Sequence, residues 1–256
     1  MRLSFQPVIY PDITYSFYPV WCDMLRIPYE TIPVDDTFNI NAADYRRPNG
    51  GVVIANPNAP TSIGRGLDFM REILDANPDS VVISDEAYVD FGGTSAVPLL
   101  KEYENLVVVQ TFSKSRSMAG MRIGYALGNK DIISALFAAK DSYNSYPLDS
   151  VAIAAGVASV QDEEYFRATV AKVVATRDRL TEVLRGMGFD VADSSTNFLF
   201  VEHPKYRAKD IQEFLKTKDI YVRYFSKKRI DNRLRITIGT DGEIDALIAA
   251  LKEYIV

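Results

Sequence analysis

VVVQTFSKSRSMAGMRIGYALG, residues 107–128, places a lysine where a buried strand should end. The β-branched run from Val107 stops at Thr111, Ser113 and Lys114 follow, and Arg122 stands eight positions beyond the lysine. Charge is costly to hide, so Lys114 is either a solvated strand-end residue or a residue that does chemistry. The surrounding chain repeats the pattern. GVVIANP (51–57), SVVISDEAYVDF (80–91), NLVVVQTFSK (105–114) and MRIGYALG (121–128) are near-continuous apolar runs, with a helix expected from Arg65 to Asn77. Such runs alternating with helices predict an α/β fold, a mainly parallel sheet with helices on both faces. Ligands in these sheets gather outside the carboxyl ends of the strands. Three successive runs end in Asn and Thr, in Asp85-Glu86 and in Ser113-Lys114, and these polar groups are expected to share one edge.

From about Ile132 the pattern turns helical, through DIISALFAAKDSYN and LDSVAIAAGVASVQ, to 162–188 with apolar residues at helical spacing and a glycine stop. The acidic pair Glu163-Glu164 reads as the charged first turn of that helix. Beyond it come FDVADSSTNFLFVEH, a helix near Ala208 to Thr217, IYVRYF, RLRITIG and a closing helix from about Asp241. The expected organisation is a large domain over 1–161, then a long linking helix and a small α+β domain over 162–256.

Bulk properties narrow the function classes. A chain of 256 residues with 47% hydrophobic and 25% charged residues can bury a substantial core. The net charge of −5 gives no electrostatic reason to expect nucleic acid or an anionic membrane. One cysteine (Cys22) and one histidine (His203) leave no disulfide framework and little for a metal site, so no metal is expected and both read as structural. No apolar run reaches membrane-spanning length and no signal-peptide core opens the chain, so a reducing cytoplasm is the expected compartment.

The remaining polar residues form a chemically coherent set. A strand-end lysine near an aspartate at another strand end suits a cofactor held through a Schiff base, because an amine becomes nucleophilic once desolvated or placed beside cations. A pyridinium nitrogen needs a carboxylate, and a cofactor phosphate needs an arginine and hydroxyls. Asp85, Tyr88, Thr111, Ser113, Lys114 and Arg122 supply these groups.

The order NPNAPTS, SDEAYVDF, TFSKSRSMAGMRIGYALG, TNFLFV and RLRITIGT resembles the fold-type-I pyridoxal-phosphate aminotransferases, and within them the histidinol-phosphate aminotransferases. The resemblance spans nearly the whole chain. It implies that Lys114 carries pyridoxal 5′-phosphate, that Arg122 with Ser113 and Thr111 grips its phosphate, that Asp85 pairs with the pyridine nitrogen, and that Tyr88 bonds the ring oxygen. Tyr15 in PDITYSFYPVW is implied to stack on the ring. Arg235 is implied to hold the substrate carboxylate, Arg223 to be a second anion-binding arginine, and Asn197 in TNFLFV to contact substrate. A small amino acid or amino phosphate, a 2-oxo acid partner and a homodimer follow by the same route.

Two departures stand out. The asparagine usually placed directly before the proline is Ala59 here, which leaves Asn58 or Asn56 for the ring oxygen. Family members also carry a longer start, including a Gly-rich turn that cups the phosphate at a helix N-terminus, so the chain is expected to be truncated and to bind the cofactor weakly. Taken singly, Lys114 is a solvated lysine, Asp85 a helix cap, Tyr15 core packing, and Arg223 and Arg235 partners for acids such as Asp231 or Asp241. The motif order favours the catalytic readings. Three functions stay open: an aminotransferase, a decarboxylase of a phosphorylated amino acid on the same scaffold, and a non-catalytic protein that keeps the fold.

Overall fold

A computed structural model describes residues 6–255. In chain order the elements are β1 (Val8–Pro11), α1 (Tyr18–Leu25), β2 (Tyr29–Ile32), β3 (Gly51–Ala55), α2 (Leu67–Ala76), β4 (Val82–Asp85), β5 (Leu106–Thr111), β6 (Gly124–Gly128), α3 (Lys130–Tyr143), α4 (Ser150–Gln161), α5 (Glu163–Gly186), β7 (Asp190–Val191), β8 (Phe198–Glu202), α6 (Ala208–Lys216), β9 (Arg223–Tyr224), β10 (Leu234–Thr237) and α7 (Asp241–Tyr254).

The first sheet has the order β2-β1-β3-β4-β5-β6. Its strands run parallel except β6, which returns antiparallel along β5, with Thr111 opposite Gly124. Alternation along β3 divides its side chains between two layers. Val52 and Ile54 enter a core with Phe69, Met70 and Ile73 of α2, while Val53 and Ala55 meet Tyr18 and Cys22 of α1 on the opposite face. The sheet is therefore covered on both sides, which suits its unbroken Val/Ile runs. The run SVVISDEAYVDF does not stay extended. It leaves the sheet after Asp85 and tightens into a 3₁₀ turn over Val89–Phe91, closed by Gly92 at φ 113.

The second sheet, β7-β8-β10-β9, is antiparallel. Leu199 and Val201 of β8 face a core shared with α5, α6 and α7, whereas Phe200 points the other way and joins the core of the first sheet, its ring 5.5 Å from that of Phe38. A strand buried on both faces thus joins the two layers. Caps fix the helix starts: Asp162 accepts the amide of Tyr165 at α5, and Thr240 with Glu243 forms a capping box at α7. Glu163 and Glu164 occupy the first turn of α5.

Candidate active site

Parallel pairing sets β3, β4 and β5 in register, Ala55 beside Asp85 and Asp85 beside Val109, so their carboxyl ends open at one edge. Asn56, Asp85 and the Ser113-Lys114 turn all stand there, as the strand ends suggested. The Asp85 carboxylate accepts the Tyr18 hydroxyl at 2.7 Å and the Ala87 amide at 3.2 Å. Burial pushes its pKa up, although both hydrogen bonds and the charge of Lys114 pull it down. Burial and the neighbouring Asp85 charge together raise the Tyr18 phenol well above its ordinary value. Sequence reading missed Tyr18; only its place among aromatic residues three positions after Tyr15 hinted at the site.

Lys114 is exposed, and its Nζ stands 5.3 Å from the centre of the Tyr88 ring. Tyr88 in turn packs edge-on against Phe198, centre to centre 5.1 Å. The Lys114 turn is tied to the same segment by a hydrogen bond from Ser115 to Asp90. Arg122 adopts a left-handed conformation at φ 57 and donates to the Ala119 carbonyl at 2.8 Å, leaving its other donors at the exposed edge.

Three residues expected to touch a cofactor make hydrogen bonds within the chain. Asn58 donates to the Ile13 carbonyl at 2.9 Å and to Thr61 at 3.0 Å, and accepts the Thr14 hydroxyl at 2.7 Å. It thereby braces the segment that carries Tyr15. Asn56 pairs with both backbone groups of Arg65. Thr111 donates its hydroxyl hydrogen to the Ile123 carbonyl and accepts the Ser113 amide, which shapes the turn before Lys114. Tyr15 stands at the rim, 43% exposed, with its ring 6.2 Å from Phe17 and 6.0 Å from Trp21.

The second sheet supplies the cations. Arg235 of β10 lies directly opposite Arg223 of β9, although like charges facing across strands repel. Neither pairs with a carboxylate among the described residues; Asp241 is taken by Thr176 and Arg179. The Arg235 guanidinium rests 5.1 Å from the Phe198 ring, and its buried Nε has no partner among the described residues. Both arginines line a cavity of 770 Å³ with Tyr15, Thr14, Tyr29 and Lys227. Its one carboxylate, Asp12, is held by Arg229 at 3.1 Å, so the cavity is set up for anions. Asn197 extends the pairing of β8 with β10 through its carbonyl, which accepts the Ile238 amide at 2.9 Å.

This set fits the pyridoxal phosphate that the motif order implied. An enclosed carboxylate suits a pyridinium nitrogen, a lysine amine without a hydrogen-bond or ion-pair partner among the described residues stands one aromatic ring away, and an exposed arginine with spare donors suits a phosphate. His203 is buried, accepting the Lys205 amide through Nδ1 with Nε2 3.2 Å from the Met187 carbonyl, and Cys22 is buried beside Tyr10.

Comparison with known proteins identifies the family. The model of the family "Aminotransferase class I and II" matches residues 3–251. The chain is 53% identical over 249 residues to histidinol-phosphate aminotransferase 2 of Dechloromonas aromatica, covering 97% of this chain and 70% of that one. It is 50% identical over 252 residues to the histidinol-phosphate aminotransferase of Lactococcus lactis subsp. lactis, covering 98% of this chain and 70% of that one. The crystal structure of the histidinol-phosphate aminotransferase from Clostridium acetobutylicum superposes with a TM-score of 0.91 at 22% identity, over 98% of this chain and 78% of that one, and shares its fold. The chain belongs to the class I and II aminotransferases, enzymes that work with pyridoxal phosphate.

Proposed function

We propose that the protein transfers an amino group between histidinol phosphate and 2-oxoglutarate. The observation that carries this reading is the opposed pair Arg223 and Arg235, which have no carboxylate partners among the described residues and line one cavity. A site that admits a phosphate-bearing amine and a dicarboxylic acid in turn needs two anion anchors in one space. The names of the relatives at 50–53% identity support the same substrate.

When bound, pyridoxal phosphate supplies an electron sink for charge that develops at the substrate Cα. The roles of the protein follow from where its groups stand. Asp85 would hold a proton on the ring nitrogen, Tyr15 would cover one face of the ring, and Tyr88 would reach its oxygen. Ser113 and Arg122 would hold the phosphate through charge-assisted bonds, while Thr111 and Asn58 set the turns behind them. Lys114 would bind the cofactor and then take and return the Cα proton as general base and acid. Arg235 would orient the carboxylate, Arg223 the phosphate, and Asn197 would help to place the substrate. Apolar side chains exposed on α1 and α4, among them Trp21, Met24, Leu25, Val151 and Ile153, suit a homodimer. A cytoplasmic setting accords with the single cysteine.

The test is to supply histidinol phosphate and 2-oxoglutarate with pyridoxal phosphate and to measure glutamate. Glutamate formation is expected, with Arg235→Ala raising the KM for glutamate in the reverse direction. Release of CO₂ from a phosphorylated amino acid without glutamate would assign the scaffold to decarboxylation instead.

A further inference from the structure

Arg177 is a charged side chain in a costly place. It sits on the buried side of α5 with Thr176, Leu180 and Leu184 and is 7% exposed. Its carboxylate partner Asp178, 3.0 Å away, lies on the solvent side. Hiding a guanidinium is less favourable than packing an apolar residue of similar size unless its donors are used. Here they are used on both halves of the site. Nη1 donates to the Phe91 carbonyl at 2.7 Å and to the Thr196 carbonyl at 3.1 Å.

One of those carbonyls leads to Tyr88, the other through Phe198 to Arg235. Phe91 closes the 3₁₀ turn that begins just after Tyr88. Thr196 opens the turn into β8, two residues before Phe198, and its own hydroxyl donates to the Phe198 carbonyl at 2.9 Å. The Phe198 ring meets Tyr88 edge-on on one side and carries the Arg235 guanidinium on another. The turn is braced a second time where the Ser195 amide donates to the Ser62 carbonyl at 3.0 Å.

We propose that Arg177 is a positioning residue that fixes the distance between Tyr88 and Arg235, and through it the distance between the Lys114 amine and the anion of the substrate. The proposal rests on the reading of Arg235 as the anchor for that anion. Arg177 acts through Thr196 and Phe198, away from the reacting atoms. A planar guanidinium is suited to span carbonyls from two elements, whereas a lysine ammonium is a point charge on a flexible stem.

The test uses Arg177→Met and Arg177→Lys, each in the parent chain and in the Arg235→Ala background, with pyridoxal phosphate added. Three quantities are read: the KM for glutamate, the Kd for glutarate by calorimetry, and the melting temperature. Glutarate carries the two carboxylates of glutamate and no amino group, so its binding reports the anion sites apart from turnover. Arg177→Met is expected to raise KM and Kd by about ten-fold or more, the scale of one charge-assisted hydrogen bond to the anion. Arg177→Lys is expected to recover part of the loss. In the Arg235→Ala background the same substitutions should add nothing, as coupled residues are non-additive. Should Arg177→Met fail to fold, Arg177→Lys in the two backgrounds carries the comparison. A lower melting temperature with unchanged KM and Kd would make Arg177 a residue of the fold alone and overturn the proposal, as would equal rises in both backgrounds. If Arg235→Ala by itself leaves both constants unchanged, the anchor reading is what fails, and the positioning role falls with it.

Discussion

The hydroxyl of Tyr18 donates to Asp85 Oδ2 at 2.7 Å, tying helix α1 to the carboxyl end of β4 across the first sheet. This bond helps to keep the Asp85 carboxylate ionised, because it lowers a pKa that burial raises. Tyr18→Phe removes that support and leaves the carboxylate easier to protonate. Turnover should fall by roughly 10–100-fold, the loss of a bond to a charged group worth about 1.5–3 kcal/mol. The acid limb of the kcat profile should also move to higher pH. A profile left in place would show that the bond serves α1 rather than the carboxylate.

Asp85 itself sets stability against function. A carboxyl with a raised folded pKa binds protons more readily in the folded chain than in the unfolded one. Stability is therefore lost as pH rises from the unfolded value to the folded one, and the penalty persists above it. Asp85→Asn should melt higher than the parent at neutral pH without cofactor, and the gap should narrow as pH falls through the folded pKa. The same substitution should cost several orders of magnitude in turnover, because the proton on the ring nitrogen loses its anionic partner. Thermal melts across pH, set beside turnover, check both halves.

The first sheet was legible because its strands are buried on both faces and so carry unbroken Val/Ile runs ending in polar residues. The direction of β6 was not, since MRIGYALG reads the same whichever way it runs. Asp85 and Lys114 could be placed at one edge from strand ends alone. Their neighbours could not. The Tyr18–Asp85 bond spans a sequence separation of 67, and no local pattern marks it. Asn58 and Thr111 show a second limit: residue type reveals that a donor exists, whereas only the fold shows that Ile13, Thr61 and Ile123 already receive it. Arg177 was hidden differently, within ATRDRL on a helix whose neighbouring charges, Asp178 and Arg179, do face solvent.

Among the described residues Lys114 has no hydrogen-bond or ion-pair partner and stands over the ring of Tyr88, which leaves its amine available for a covalent bond. With pyridoxal phosphate added, the protein should gain the visible absorbance of a lysine-bound cofactor. Borohydride should then fix the cofactor to the peptide containing Lys114, as read by mass spectrometry. Lys114→Ala should lose both signals. A fixed adduct on Lys227 or any other lysine would reassign the residue.

The opposed arginines give a prediction with two signs. Arg223 and Arg235 face each other across β9 and β10 with no carboxylate partner among the described residues, a repulsion that the folded chain bears when no anion is present. Arg223→Gln relieves it, so the variant should melt at or above the parent in a chloride buffer of low ionic strength. Inorganic phosphate should reverse the order. An anion that binds only the folded chain stabilises it by mass action, about 2.7 kcal/mol at a hundred times its Kd, and the parent should gain that increment while Arg223→Gln gains little. Melting both proteins across a phosphate titration, with ionic strength held constant by chloride, separates specific binding from screening. Parallel curves for the two proteins would show that Arg223 binds no phosphate and that the anion site lies elsewhere in the cavity.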